Sequence, residues 1–145
     1  MYRFKLEPLL KHRKHLEEAC QKELAVLQEA LSMETDLLGR LVNRKVEQER
    51  CLRRLQNGRP DIDAIVAAIA YIQRLGQEIV AQQGVVKCAQ KACDDQRCDL
   101  VKALQGRKIM DKLKEKGQVA HKAEEVRSHQ NFMNEIAINR FNRDR

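Results

Sequence analysis

The sequence predicts an all-α chain: a long antiparallel two-helix coiled coil, an α-hairpin, whose second helix overhangs the N-terminal end. Three observations carry this. Pro8 and Pro60 are the only prolines in 145 residues, so long stretches run without the strongest helix breaker. Apolar residues recur at heptad spacing on both sides of Pro60, the pattern of a coiled coil rather than of a globular helix. Aromatic residues make up 3% of the chain, with no Trp, while charged residues reach 34%. Because aromatic side chains bury about 150–250 Å² each, a chain so poor in them suits a narrow seam better than a wide core or a ligand pocket. Hydrophobic content of 43% argues against disorder.

The first helix is expected over about residues 5–57. Heptad position a falls at Leu10, Glu17, Leu24, Leu31, Leu38, Lys45 and Leu52, and d at Leu6, Arg13, Cys20, Leu27, Glu34, Leu41, Gln48 and Leu55. Ten of these fifteen are apolar. Asn57-Gly58-Arg59-Pro60-Asp61 then reads as stop, turn over 58–60 and restart. Gly58 is expected to end the helix in a left-handed conformation, and Asp61 to accept bonds from the first free amides of the next.

The second helix is expected over about 61–142, making residues 1–145 a single helical hairpin. Ile65, Ile72, Ile79, Val86, Cys93 and Leu100 lie seven apart, and Ile62, Ile69, Gly76 and Leu104 are expected on the flanking seam row. Glu34, Lys45, Gln48, Gln83, Gln90 and Arg97 are then polar seam residues, which cost stability but fix register. Shorter helices bending at Gly39, Gly84 or Gly106 and packed as a four-helix bundle are the alternative architecture.

A turn of three residues pairs residue i with about 118 − i. The second helix therefore outruns the first, and everything after Glu115 projects past the N-terminus. Val119, Ala123, Val126, Met133 and Ala137 continue an apolar stripe there, with Phe132, Ile136, Ile138 and Phe141 adding bulk. The phase is expected to slip near Gly106 and Gly117. A lone helix with an apolar stripe needs something to bury it, so the overhang reads as a docking element; folding back or dimerising is the alternative.

Charge separates along the chain. The net charge is +7 overall, with +5 in residues 40–59, +4 in 107–145, and near neutrality elsewhere. Arg40, Arg44, Lys45, Arg50, Arg53, Arg54 and Arg59 form one basic group. Lys108, Lys112, Lys114, Lys116, Lys122, Arg127, Arg140, Arg143 and Arg145 form the other. Two basic ends suggest two contacts with acidic surfaces; a solvated charged face is the plainer explanation of any single residue. No aromatic residues interleave the 40–59 group to stack bases, so specific nucleic-acid binding is not expected.

Sites for chemistry are also not expected. Cys88, Cys93 and Cys98 lie five apart, which turns about 140° per step on a helix and spreads the thiols around it. Cys20 and Cys93 fall on the seam and are expected near one another. His12 and His15 share a face but have no third ligand nearby. There is no P-loop, Gly-rich phosphate cradle or nucleophile–base set, so no catalytic, cofactor or metal residue is assigned. Neither a bilayer span nor a signal peptide is expected, which points to the cytoplasm and to reduced cysteines.

Phe4-Lys5-Leu6-Glu7-Pro8-Leu9-Leu10-Lys11-His12-Arg13, followed by a Leu/Glu/Ala-rich helix, resembles the N-terminus of the FliJ family, the small coiled-coil component of the bacterial flagellar type III export apparatus. The other end is similar too, in Lys112-Leu113-Lys114-Glu115-Lys116, in Glu125 to Arg127, and in Asn134-Glu135-Ile136-Ala137-Ile138-Asn139-Arg140. Asn134 stands where the family tends to carry an acid, and His121 where an aromatic is common. The resemblance covers nearly the whole chain and leaves flagellar and virulence secretion systems open.

It implies a non-enzymatic, stalk-like rod that couples the hexameric export ATPase ring to the cytoplasmic domain of the membrane export-gate protein and helps escort export chaperones and substrates. The chain would then sit in the cytoplasm, peripheral at the inner membrane through the apparatus, and serve flagellum biogenesis, protein transport and hence motility and chemotaxis. By that analogy Phe4, Leu10, Arg13, Val126, Met133, Glu135, Ala137 and Arg140 would contact the ATPase ring. Arg40, Arg44, Arg50, Arg53 and Arg54 would contact the gate. A general coiled-coil holdase chaperone and a basic nucleoid-associated coiled coil are the alternatives.

Overall fold

A computed structural model describes residues 2–59 and 61–143, with the side chains of 142 and 143 excluded. Pro60 and the side chains of Arg143 and Arg145, named above, therefore lie outside the described residues. The chain forms two helices, α1 (Glu7–Asn57) and α2 (Ile62–Arg143), packed against each other, with no strand among the described residues. Both run unbroken through their glycines, so the bundle of shorter helices is not the architecture. The contacts divide the chain into two units, Ala19–Leu100 and Met1–Glu18 with Val101–Arg145.

The first unit holds the turn. Asp61 caps α2: its Oδ1 accepts from the amides of Asp63 at 3.2 Å and Ala64 at 3.3 Å, while its carbonyl accepts from Ile65 at 3.0 Å. These satisfy donors that a helix start leaves open. Gly58 differs from expectation, because no described glycine has a positive φ. The α1 helix stops without a left-handed cap. The physical reason is in the sequence: a proline at 60 disfavours helical geometry in the residue before it and has no N–H to continue the ladder.

Within this unit α1 turns inward the residues its heptads predict. Cys20, Leu24, Leu27, Leu31, Glu34, Leu38, Leu41, Lys45, Gln48 and Leu52 are all half-buried, and only Leu55, at the turn, is exposed. The helices run antiparallel. Glu34 meets Gln82 and Cys20 meets Gln96, both close to the 118 − i register.

On α2 one seam row is as expected and the other is not. Ile65, Ile72, Ile79, Val86, Cys93 and Leu100 face inward. Their companions are Ala68, Leu75, Gln82, Ala89 and Gln96; of the expected row Gly76 is half-buried at the seam's edge, while Ile62, Ile69, Gln83, Gln90 and Arg97 are exposed. Leu75 is 1% exposed, whereas Ile62 is 73% and Ile69 41% exposed. The expected row would have buried a guanidinium and two amides around a glycine. The observed row buries two amides that find acceptors across the seam: Gln82 Nε2 donates to the Glu34 carbonyl at 3.1 Å, and Gln96 Nε2 to the Cys20 carbonyl at 3.3 Å and Glu23 Oε2 at 3.0 Å. Burying an unpartnered polar group costs about 1–3 kcal/mol, and three of them outweigh the gain from burying two isoleucines. Gln90 and Arg97 instead bind Asp94 on the surface, both at 3.1 Å.

By length and composition alone α2 also contains a stretch apolar enough to cross a membrane, contrary to expectation. The apolar start of the helix spends Ile65, Ile72, Leu75 and Ile79 on the seam.

Candidate partner-binding site

The unit built from Met1–Glu18 and Val101–Arg145 carries the first candidate surface. Its seam continues the same 3–4 spacing on α2 through Ala103, Arg107, Met110, Lys114, Gly117 and His121, all buried or half-buried. The expected phase slip at Gly106 and Gly117 does not occur in the packed part; the seam keeps its phase and turns polar. Leu10 and Met110 are its buried apolar members. The rest is ionic: Lys114 Nζ donates to Glu7 Oε2 at 2.7 Å, and Arg107 Nε lies 2.5 Å from Glu17 Oε2. The bond to Lys114 holds the Glu7 carboxyl below its ordinary pKa, with the charges of Lys114, Lys11 and Lys14 adding to it.

Ahead of α1, the segment from Tyr2 lies across α2. Glu7 N–H donates to the Phe4 carbonyl at 3.2 Å, starting the helix two residues later than the expected position 5. The Tyr2 ring meets His121 edge-on at 5.6 Å, and its hydroxyl occupies the space a Cβ on Gly117 would take, 2.0 Å from that point. Arg13 crosses Gly106 in the same way, with Nη1 3.3 Å from the would-be Cβ. A side chain at 117 would displace the Tyr2 ring, whereas one at 106 would require Arg13 to give by only a few tenths of an ångström. Tyr2 is the residue that reasoning from sequence missed, and the packing of Lys114, Gly117 and His121, singled out there on other grounds, was missed with it. The available signal was Gly117 on a heptad row, a gap that some other side chain has to fill.

Past His121 the packing ends. Every described side chain from Lys122 to Phe141 is exposed. The eight residues assigned to one contact therefore fall in two places. Leu10 is internal, Phe4 is half-buried and Arg13 lies over Gly106. Val126, Met133, Glu135, Ala137 and Arg140 are open on the helical arm, with Val126 65% and Met133 51% exposed.

The second candidate surface belongs to the other unit. Arg40, Arg44, Arg50, Arg53 and Arg54 are exposed, and among the described residues none pairs with a carboxylate. At 100° per residue, Arg40, Arg50 and Arg54 lie on the face of α1 away from its seam, with Arg53 at one edge of that face and Arg44 at the other, beside the seam. Such a face offers several guanidinium groups to one acidic surface.

Cys93 is buried, Cys20 half-buried and Cys88 and Cys98 exposed, all as free thiols. Among the described residues no group of three or more His, Cys, Asp or Glu is placed to hold a metal ion.

A family model described as "Flagellar FliJ protein" matches residues 2–145. Searches of curated proteins and of solved structures return no match.

Proposed function

The chain belongs to the FliJ family, a non-catalytic component of flagellar export, and from that premise we propose that it links the export ATPase to the export gate. In this reading the exposed arm of α2, together with Phe4 and Arg13, engages the hexameric ATPase ring. The arginine face of α1 engages the cytoplasmic domain of the gate protein, which brings the chain to the inner membrane as a peripheral subunit. Export chaperones are further partners that it hands on.

One observation carries the assignment of ends: the run from Lys122 to Phe141 keeps its large apolar side chains exposed. An exposed apolar stripe is unfavourable in water and gains roughly 25 cal/mol per Å² when covered. Leu10 supports the arm indirectly, by anchoring α1 to the α2 segment that leads into it. The arginine face suits an exchangeable contact, since each exposed ion pair contributes only about 0.2–1 kcal/mol and weakens with salt.

Co-purification tests both ends. A chain ending at residue 121 is expected to lose the ATPase while retaining the gate domain. Reversing Arg40, Arg44, Arg50 and Arg54 to Glu is expected to lose the gate domain and retain the ATPase. ATPase capture unchanged by the truncation would show the assignment of ends to be wrong.

A further inference from the structure

The apolar stripe of α2 changes face at its last packed turn. Up to His121 the inward rows face α1. Carried onward, those rows reach Glu124, Ser128, Asn131 and Glu135, which are polar. A second set at the same 3–4 spacing begins at Val119 and runs through Ala123, Val126, Gln130, Met133 and Ala137, all exposed. In the heptad these take two of the three outward positions, on the far side of the helix from the seam. The stripe therefore cannot be an extension of the packing against α1, because no residue of it points that way.

Charge follows the same division. From residue 116 to 140 every basic side chain except the histidines, namely Lys116, Lys122, Arg127 and Arg140, lies on or beside the outer stripe. Every acidic one, Glu124, Glu125 and Glu135, lies on the opposite face. Two copies of this surface would set like charges against each other, which costs rather than gains. A helix with its own apolar heptads and carboxylates at the flanking positions would match it in spacing and in sign.

We infer that the outer stripe of α2 from Val119 to Ala137 is a second coiled-coil seam, which receives an acidic amphipathic helix from a partner. This rests on the reading of the arm as a partner-facing end and specifies the chemistry of what it meets: a helix, seated along the arm, chosen by charge. Phe132 and Ile138, on the acidic face, stay outside this contact.

The test uses the full chain and a labelled synthetic helix with Leu at its seam positions and Glu at the flanking ones, read by fluorescence anisotropy. A matched helix with Lys in place of Glu is the comparison. The Glu helix is expected to bind at least tenfold more tightly than the Lys helix, and to weaken several-fold as salt is raised. Val126→Asp with Met133→Asp is expected to reduce its binding at least tenfold. Lys122→Glu with Arg127→Glu is expected to erase the preference between the two helices. Glu124→Gln with Asn131→Ala, on the other face, is expected to leave binding unchanged. All four altered residues of the first two variants are exposed, so unchanged helicity by circular dichroism accompanies the expected result. Equal binding of the two helices, indifference to the Asp variants, or sedimentation showing the stripe filled by a second copy would each overturn the inference. Loss of ATPase capture on truncation at 121 together with equal binding of both helices would overturn the acidic-helix seam and leave the export reading standing. Charge-selective helix binding with ATPase capture unaffected would do the reverse.

Discussion

The choice between the two possible seam rows of α2 can be weighed directly by truncating one residue from each. Leu75 is 1% exposed and Ile69 41% exposed, and both lie in the Ala19–Leu100 unit, so one unfolding transition reads both. Leu→Ala at a fully buried site costs about 2–5 kcal/mol, the cost rising with how little the site collapses. A seam one layer deep, open to water along its edges, relaxes more easily than a globular interior, which places Leu75→Ala near 2–3 kcal/mol. Ile69→Ala loses partial burial worth roughly 1 kcal/mol and regains several tenths through the better helix propensity of Ala, leaving about 0.5. The difference of about 2 kcal/mol is a factor near 30 in the folding equilibrium. Urea unfolding followed by circular dichroism, with a slope of about 1–3 kcal/mol/M, should separate the two midpoints by about 1 M. Equal midpoints, or a larger loss from Ile69→Ala, would mean that the seam uses the row of Ile62 and Ile69 and that the pairing described here is wrong.

Gly117→Ala is expected to split local from global effects: Ala favours helix by about 1 kcal/mol over Gly, yet its Cβ would lie 2.0 Å from the Tyr2 hydroxyl. The thermal midpoint should hold or rise while the ring-current shifts between Tyr2 and His121 vanish from the proton NMR spectrum; their persistence would contradict the placement of Tyr2. Glu7, whose pKa is lowered first by its bond from Lys114, stabilises the fold when ionised. A carboxyl depressed in the folded state contributes above the ordinary Glu value of about 4.3 and loses that contribution as pH falls through the folded value. The gap in urea midpoint between the native chain and Glu7→Gln should therefore be open at pH 7 and close in acid below about pH 4, and a gap that widens in acid would reverse the sign of the interaction.

The α1 register was legible because its seam is built from leucine: Leu24, Leu27, Leu31, Leu38, Leu41 and Leu52 leave no second phase. The α2 register was half legible. Ile65 to Leu100 mark one row plainly, but the other row is Ala68, Leu75, Gln82, Ala89 and Gln96, whose amides become acceptable only because Glu34, Glu23 and the Cys20 carbonyl stand opposite. Bulk alone favoured Ile62 and Ile69; partners across the helices decided otherwise. The stop at 57 was visible in Pro60, although Gly58 does not use the left-handed freedom that its type allows. For the candidate surfaces, the separation of charge was readable by counting. The exposure of Val126 and Met133 and the burial of Leu10 depend on where α1 ends against α2, which is a matter of tertiary packing.

The role assigned to the arm is tested most directly in cells. In a strain lacking this chain, secretion of flagellar filament protein into the medium is measured after restoring either the full sequence or one ending at residue 121. The full chain is expected to restore secretion and external flagella, and the truncated one to accumulate in the cytoplasm without restoring either. Normal secretion in the strain lacking the chain, or full restoration by the truncated form, would contradict it.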